Sequence, residues 1–141
     1  MNQEEIMKIL PHRKPMLLID DASLDEDGNA CAHYTVRGDE FFLDGHFPGN
    51  KIVPGVILCE MMAQASCVMF KDDMKSNILP VYAGLDKVRF KGMVRPGDTV
   101  CIKTKLVRSS NSLYKLHGEI YVEERLCMMG DFSVALYGER E

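Results

Sequence analysis

Two polar side chains stand where polarity is costly. The stretch VILCEMMAQASCVMFK at residues 56–71 is apolar almost all round, apart from Glu60 and Gln64. Four residues apart, these two share one face of a helix. A buried carboxylate responds to desolvation by raising its pKa and keeping its proton, which would make Glu60 a general acid near neutral pH. A Glu at a solvent gap or beside a cation fits the same pattern. A second proton carrier, His46, lies in Gly45-His46-Phe47-Pro48-Gly49. Its glycines let a backbone approach a ligand closely, and Phe42 and Phe47 would keep the imidazole dry. A lone loop histidine is also often structural. The third element is Gly55-Val56 at the helix start, where free N–H groups and the positive dipole end suit an oxyanion. Glu60 lies five residues further on, about 7–8 Å along the axis. A base, an acid and an oxyanion site suit proton abstraction beside a carbonyl with loss or addition of water.

Positioning these groups requires a scaffold. A helix without a polar face is buried on all sides, and Pro54-Gly55 gives it a stiff, close-fitting start. Before it, residues 3–10 have a helical period stopped by Pro11. Residues 15–22 read as a buried strand, 25–29 as a turn, and 30–37 as the partner strand of a hairpin. Residues 38–55 hold four glycines and two prolines together with Phe41, Phe42, Leu43 and Phe47, which predicts an ordered, packed loop. Strands follow at 82–91, 100–108, 113–123 and 126–137, separated by turn signals such as Arg95-Pro96-Gly97-Asp98. The expected class is α+β, an antiparallel sheet curled round one long buried central helix. A single small sheet leaves an edge exposed, which invites a dimer.

The 141 residues fit one domain, 1–141, with no linker. Of these 46% are apolar, enough for a core, and 27% are charged, which excludes disorder by composition. Seventeen basic against 21 acidic residues give a net charge of −4, which argues against nucleic acid as the main partner. Five cysteines, an odd count without a C-x-x-C pair, fit reduced buried thiols in a cytoplasmic protein. No Cys and His have zinc-ligand spacing, so no metal or other cofactor is expected. The first ten residues are too polar for a signal-peptide core, and no apolar run approaches the ~20 residues of a membrane span.

The stretch Phe42-Leu43-Asp44-Gly45-His46-Phe47-Pro48-Gly49, followed by Val53-Pro54-Gly55-Val56-Ile57-Leu58-Cys59-Glu60-Met61-Met62-Ala63-Gln64, resembles the signature of the bacterial β-hydroxyacyl-acyl-carrier-protein dehydratases of type II fatty-acid synthesis. Pro11-His12-Arg13 with Leu17-Leu18-Ile19-Asp20, Gly84-Leu85-Asp86-Lys87-Val88-Arg89-Phe90 and Val94-Arg95-Pro96-Gly97-Asp98 match further motifs, in order along nearly the whole chain. The resemblance implies the hot-dog fold. It implies that His46 removes the α-proton, Glu60 protonates the leaving hydroxyl, and the Gly55 amide, with Val56 beside it, holds the thioester carbonyl. It also implies a homodimer with His and Glu from opposite protomers, and many members assemble as trimers of dimers. The dehydratase/isomerase branch carries Asp where this chain has Glu60, which favours the plain dehydratase. Lys51 departs from the Pro common at its position, which bears on the shape of the loop.

An acyl chain needs an apolar tunnel. Phe42, Met61, Met62 and Tyr82 are its candidate walls, though each taken singly fits ordinary core better than tunnel. Gln64 is expected to support Glu60. The acidic acyl carrier protein of the family would dock on a basic patch, and strand alternation puts Lys87, Arg89 and Lys91 on one face with Arg95 nearby. His12, His33 and His117 receive no role, and Asp20 with Arg13 is read as a structural pair. Alternative functions are a dehydratase with trans-2/cis-3 enoyl isomerase activity, a hot-dog acyl-thioesterase, and a non-catalytic carrier-binding module.

Overall fold

The computed structural model describes residues 1–45, 47, 49–74 and 78–138. The elements in order are α1 (Gln3–Met7), β1 (Asp21–Leu24), β2 (Ala30–Thr35), α2 (Gly55–Ser66), β3 (Ile78–Phe90), β4 (Thr99–Ser110), β5 (Leu113–Val122) and β6 (Arg125–Gly138). All six strands form one antiparallel sheet in the order β1-β2-β4-β5-β6-β3. Helix α2 packs on β2, β4 and β5, so the sheet curls round it as in a hot-dog fold.

Alternation along the strands builds the core. Val100 and Ile102 of β4, Leu116 and Ile120 of β5, and Met128, Phe132 and Val134 of β6 point inward and are buried. They meet Met61, Met62 and Ala65 of α2, none of which has any exposed surface. The helix comes close to β5 at Gly118, where an added Cβ would lie 2.4 Å from Met62 Sδ. β3 is an outer strand, which explains how Pro80 fits within it. Leu79, Val81, Leu85 and Phe90 of β3 are exposed.

Several elements differ from the sequence expectation. α1 is closed at its start by a capping box: Glu5 N donates to Asn2 Oδ1 at 2.9 Å and Asn2 N to Glu5 Oε1 at 3.2 Å. It ends at Met7 rather than Leu10. Residues 17–19 are buried but form no strand, because a side chain claims the backbone there: Leu18 N donates to Gln64 Oε1 at 2.8 Å and Gln64 Nε2 to the Met16 carbonyl at 2.7 Å. The strand starts at Asp21 instead. α2 stops at Ser66 and continues as a 3-10 segment, Cys67–Asp73. At that junction Ser66 Oγ and Cys67 Sγ both bond back to the Ala63 carbonyl, competing with the helical ladder.

The long loop is ordered where it is described, and a buried acid holds it. Glu40 accepts from Tyr34 Oη at 2.7 Å, Arg37 N at 2.9 Å and Gly38 N at 2.8 Å. A 3-10 turn, Phe41–Leu43, follows and buries Phe42 and Leu43. Lys51 closes the loop through a different bond from any Pro could make, its Nζ donating to the Gly38 carbonyl at 2.8 Å. The pairing expected between Arg13 and Asp20 does not form. Arg13 instead donates to the carbonyls of Leu10, His12 and Met7, while Asp20 accepts from Gln3 Nε2 and Thr35 N.

Candidate active site

α2 is not buried on every side. Val56 is exposed, and Ile57, Glu60 and Ala63 are half-buried, so a stripe at helical spacing faces away from the sheet. Glu60 lies on that stripe. Gln64, one turn on and only 1% exposed, donates from Nε2 to Glu60 Oε2 at 3.0 Å. With its bonds to Met16 and Leu18, Gln64 ties the carboxylate to the segment after α1.

The same segment brings in a residue the sequence reading left without a role. His12 Nε2 lies 3.3 Å from Glu60 Oε2. Its Nδ1 is buried and, among the described residues, has no hydrogen-bond partner. Pro11-His12-Arg13 enters the sequence reading only through the family resemblance, and its distance from Glu60 along the chain hides the contact. Arg13 fixes this corner by folding its guanidinium onto three carbonyls around His12.

These donors change the expected protonation. Burial pushes the Glu60 carboxyl up, but the bonds from His12 and Gln64 favour its charged form, and the net shift is downward. In the single chain, desolvation does not keep Glu60 protonated as expected. Gln64 donates to Oε2 and His12 Nε2 lies beside the same oxygen, and among the described residues no hydrogen bond reaches Oε1.

Glu60 opens on a cavity of about 50 Å3 lined by His12, Ala63, Cys67, Tyr82 and Val134 among others. Tyr82 is thus the one predicted tunnel residue brought to Glu60; its hydroxyl donates to the Cys59 carbonyl. Met61 and Met62 lie in the core, and Phe42 packs edge-on to Phe41 with centroids 5.4 Å apart. None of these three lines the cavity. The cavity is far below the ~300–1,000 Å3 of a ligand pocket.

The start of α2 faces elsewhere. The Pro54 carbonyl accepts from Ile57 N and Leu58 N, so the amides of Gly55 and Val56 precede the first helical bonds. Both residues line a separate, mostly apolar hollow of about 410 Å3 with Phe47, Leu58, Phe90 and Met93. Gly55 sits against an exposed ring: a Cβ there would lie 2.6 Å from Phe90 unless the ring moved. The helix tip and Glu60 therefore open on different cavities of one chain. His46 lies outside the described residues.

The basic patch is only partly as expected. Lys87, Arg89, Lys91 and Arg95 are all exposed. However, β3 carries a bulge between Asp86 and Arg89, with Lys87 at φ 54°, and the extra residue breaks the alternation that would align Lys87 with Arg89. Arg95 is held to the loop by Asn50 Oδ1 at 2.6 Å.

A curled antiparallel sheet around one helix defines a hot-dog fold, and solved structures share that fold. The dehydratase heterocomplex ApeI:P from Xenorhabdus doucetiae superposes with a TM-score of 0.80 at 23% identity, over 95% of this chain and 91% of that one. A probable thioesterase from Bartonella henselae gives 0.62 at 16% identity, over 79% and 91%. At such identities the likeness is one of fold, and the fold hosts more than one chemistry. Sequence decides further. A FabA-like domain profile matches residues 10–130. The 3-hydroxyacyl-[acyl-carrier-protein] dehydratase FabZ of Petrotoga mobilis is 40% identical over 136 residues, 96% of this chain and 98% of that protein. FabZ of Caldicellulosiruptor saccharolyticus is 40% identical over 134 residues, 93% and 95%. The chain belongs to the FabZ family of 3-hydroxyacyl-[acyl-carrier-protein] dehydratases.

Proposed function

We propose that the protein removes water from (3R)-3-hydroxyacyl-[acyl-carrier-protein] to give the trans-2-enoyl thioester in fatty-acid elongation. His46 takes the α-proton, the amides of Gly55 and Val56 receive the negative charge that develops on the thioester oxygen, and Glu60 gives its proton to the departing hydroxyl. The observation that carries the reading is Glu60 on α2, with Oε2 bonded by Gln64 and 3.3 Å from His12 Nε2, and Oε1 left for a substrate. For the acid step Glu60 must carry a proton. Closure of its cavity by substrate and a second chain would add burial, which acts in the required direction.

The working unit is a homodimer. The two cavities favour it: one chain offers the helix tip beside Phe47, the sequence neighbour of His46, and on a different side offers Glu60 in a space too small for an acyl chain. A second copy that supplied the missing half would complete both sites. The exposed apolar side chains of β3 offer it a surface. Lys87, Arg89 and Lys91 are the proposed contacts for acyl carrier protein, and the place of action is the cytoplasm.

Turnover of a 3-hydroxyacyl thioester on acyl carrier protein tests the reading. His46→Ala and Glu60→Gln should each abolish it with folding intact. Co-expressed one to one, the two inactive chains should recover about a quarter of wild-type activity, since half the dimers are mixed and each mixed dimer has one intact site. Activity retained in either single variant refutes the assignment of roles. No recovery in verified mixed dimers refutes the shared site.

A further inference from the structure

The outer face of the sheet, opposite α2, carries a group of side chains that dehydration does not use. On β2, Cys31 and His33 are two apart and point to the same side. On β4, Cys101 stands opposite His33. The two sulfurs lie 3.9 Å apart. One ligand atom from each of the three residues lies within 4.8 Å of the others.

We infer that Cys31, His33 and Cys101 form a binding site for a thiophilic d10 cation of the zinc class. Zinc takes thiolate sulfur at about 2.3 Å in a tetrahedral arrangement, which sets two ligating sulfurs about 3.8 Å apart. The observed separation matches that spacing and is far beyond the ~2.05 Å of a disulfide. The imidazole nitrogen must come in by about 1.3 Å at most to complete the set. Asp21 on β1 supplies the supporting contact such sites use: its Oδ1 lies 2.8 Å from His33 Nδ1, and in the tautomer that places the proton on Nδ1 this contact orients the ring and leaves the other nitrogen with its lone pair for the metal. All three ligand residues are half-buried, so an ion can reach them from solvent and a water can fill the fourth position. Lys103 lies opposite Cys31, and its ammonium is drawn aside over the Tyr121 ring, 5.4 Å from the centroid. The ion would pin β1, β2 and β4 together on the face away from the candidate active site.

Sequence spacing conceals this arrangement. Cys31-x-His33 is too tight for a helical or loop motif, and Cys101 is 70 residues away. Only the strand pairing brings the ligands together.

Cobalt titration of the reduced, metal-free full-length protein tests the site. The expected result is one equivalent of Co2+ per chain with thiolate-to-cobalt charge-transfer absorption, lost on adding Zn2+. Cys31→Ser and Cys101→Ser should each abolish the band, Asp21→Asn should weaken binding by about 10–100-fold, and Cys127→Ala should leave it in place. In the wild-type protein, Zn2+ should also protect Cys31 and Cys101 from alkylation, a readout independent of how any variant folds. Absence of the cobalt band in wild type, its survival in both serine variants, or equal alkylation with and without Zn2+ would overturn the inference.

Discussion

Replacing Gln64 by Leu removes three polar contacts at nearly constant side-chain volume, so the cost is one of hydrogen bonding and not of a cavity. Leu18 N–H loses its acceptor at 2.8 Å, the Met16 carbonyl its donor at 2.7 Å, and Glu60 a donor at 3.0 Å. A buried amide left unpaired costs about 1–3 kcal/mol. The Met16 carbonyl costs less, because Met16 is exposed and water can reach it. About 3 kcal/mol in total is expected, which for a chain of this length lowers Tm by about 10 °C. Thermal unfolding followed by circular dichroism, at one protein concentration for both proteins, measures it. Gln64→Glu gives the sign from the other side. It keeps an acceptor for Leu18 N–H but sets a second carboxylate against Glu60, and two carboxylates this close share a proton. Its deficit should be small near pH 5 and grow toward pH 8. A Gln64→Leu protein that melts within about 2 °C of wild type, or a Gln64→Glu protein with no pH dependence of its deficit, would refute the view that Gln64 joins the N-terminal segment to α2.

Other consequences are open to test. Gly55→Ala puts a methyl 2.6 Å from the Phe90 ring, so activity and Tm should both fall, and Phe90→Leu in the same chain should restore part of the Tm. Glu40 is a pH probe for the loop: burial raises its pKa, but the N–H groups of Arg37 and Gly38 and the Tyr34 hydroxyl outweigh it, leaving the value below the ordinary 4.5. Its stabilisation is therefore present above pH 4.5 and is lost as pH falls through the lower folded value; Glu40→Gln should flatten that limb of the urea-denaturation curve against pH. His117 is shifted the opposite way, upward, chiefly by Asp131 with Glu119 assisting. Its contribution is complete below pH 6.5 and is lost as pH rises through the folded value, so His117→Asn should lose most stability at acidic pH and little at alkaline pH.

Apolar periodicity located five of the six strands to within a few residues. It misplaced the first, because Leu17, Leu18 and Ile19 are as apolar as any strand while Gln64 takes the backbone bonds a neighbouring strand would need. The central helix was legible from composition, but its open stripe was not, since Val56 and Ala63 look like core until the sheet is seen to wrap only part of the circumference. At the site, Glu60 and Gln64 announced themselves as polar groups in an apolar run. His12 did not, because a histidine beside a proline in a polar segment has no pattern to violate. The groups that lower the Glu60 pKa in the single chain were hidden for the same reason: burial can be read from neighbours in sequence, hydrogen-bond donors from elsewhere in the chain cannot.

The strand order has a consequence for how the molecule is made. Among the described residues β3 neighbours only β6 in the sheet, although β4 and β5 are synthesised between them. During translation the chain therefore carries β3 unpaired, next to the newly made helix, until two intervening strands have emerged and β6 offers its edge. The pairing closes a long loop, which slows folding. Pro80 and the irregularities at Tyr82–Gly84 and Asp86–Arg89 interrupt this strand, and such breaks lower its tendency to pair with another nascent chain during the wait.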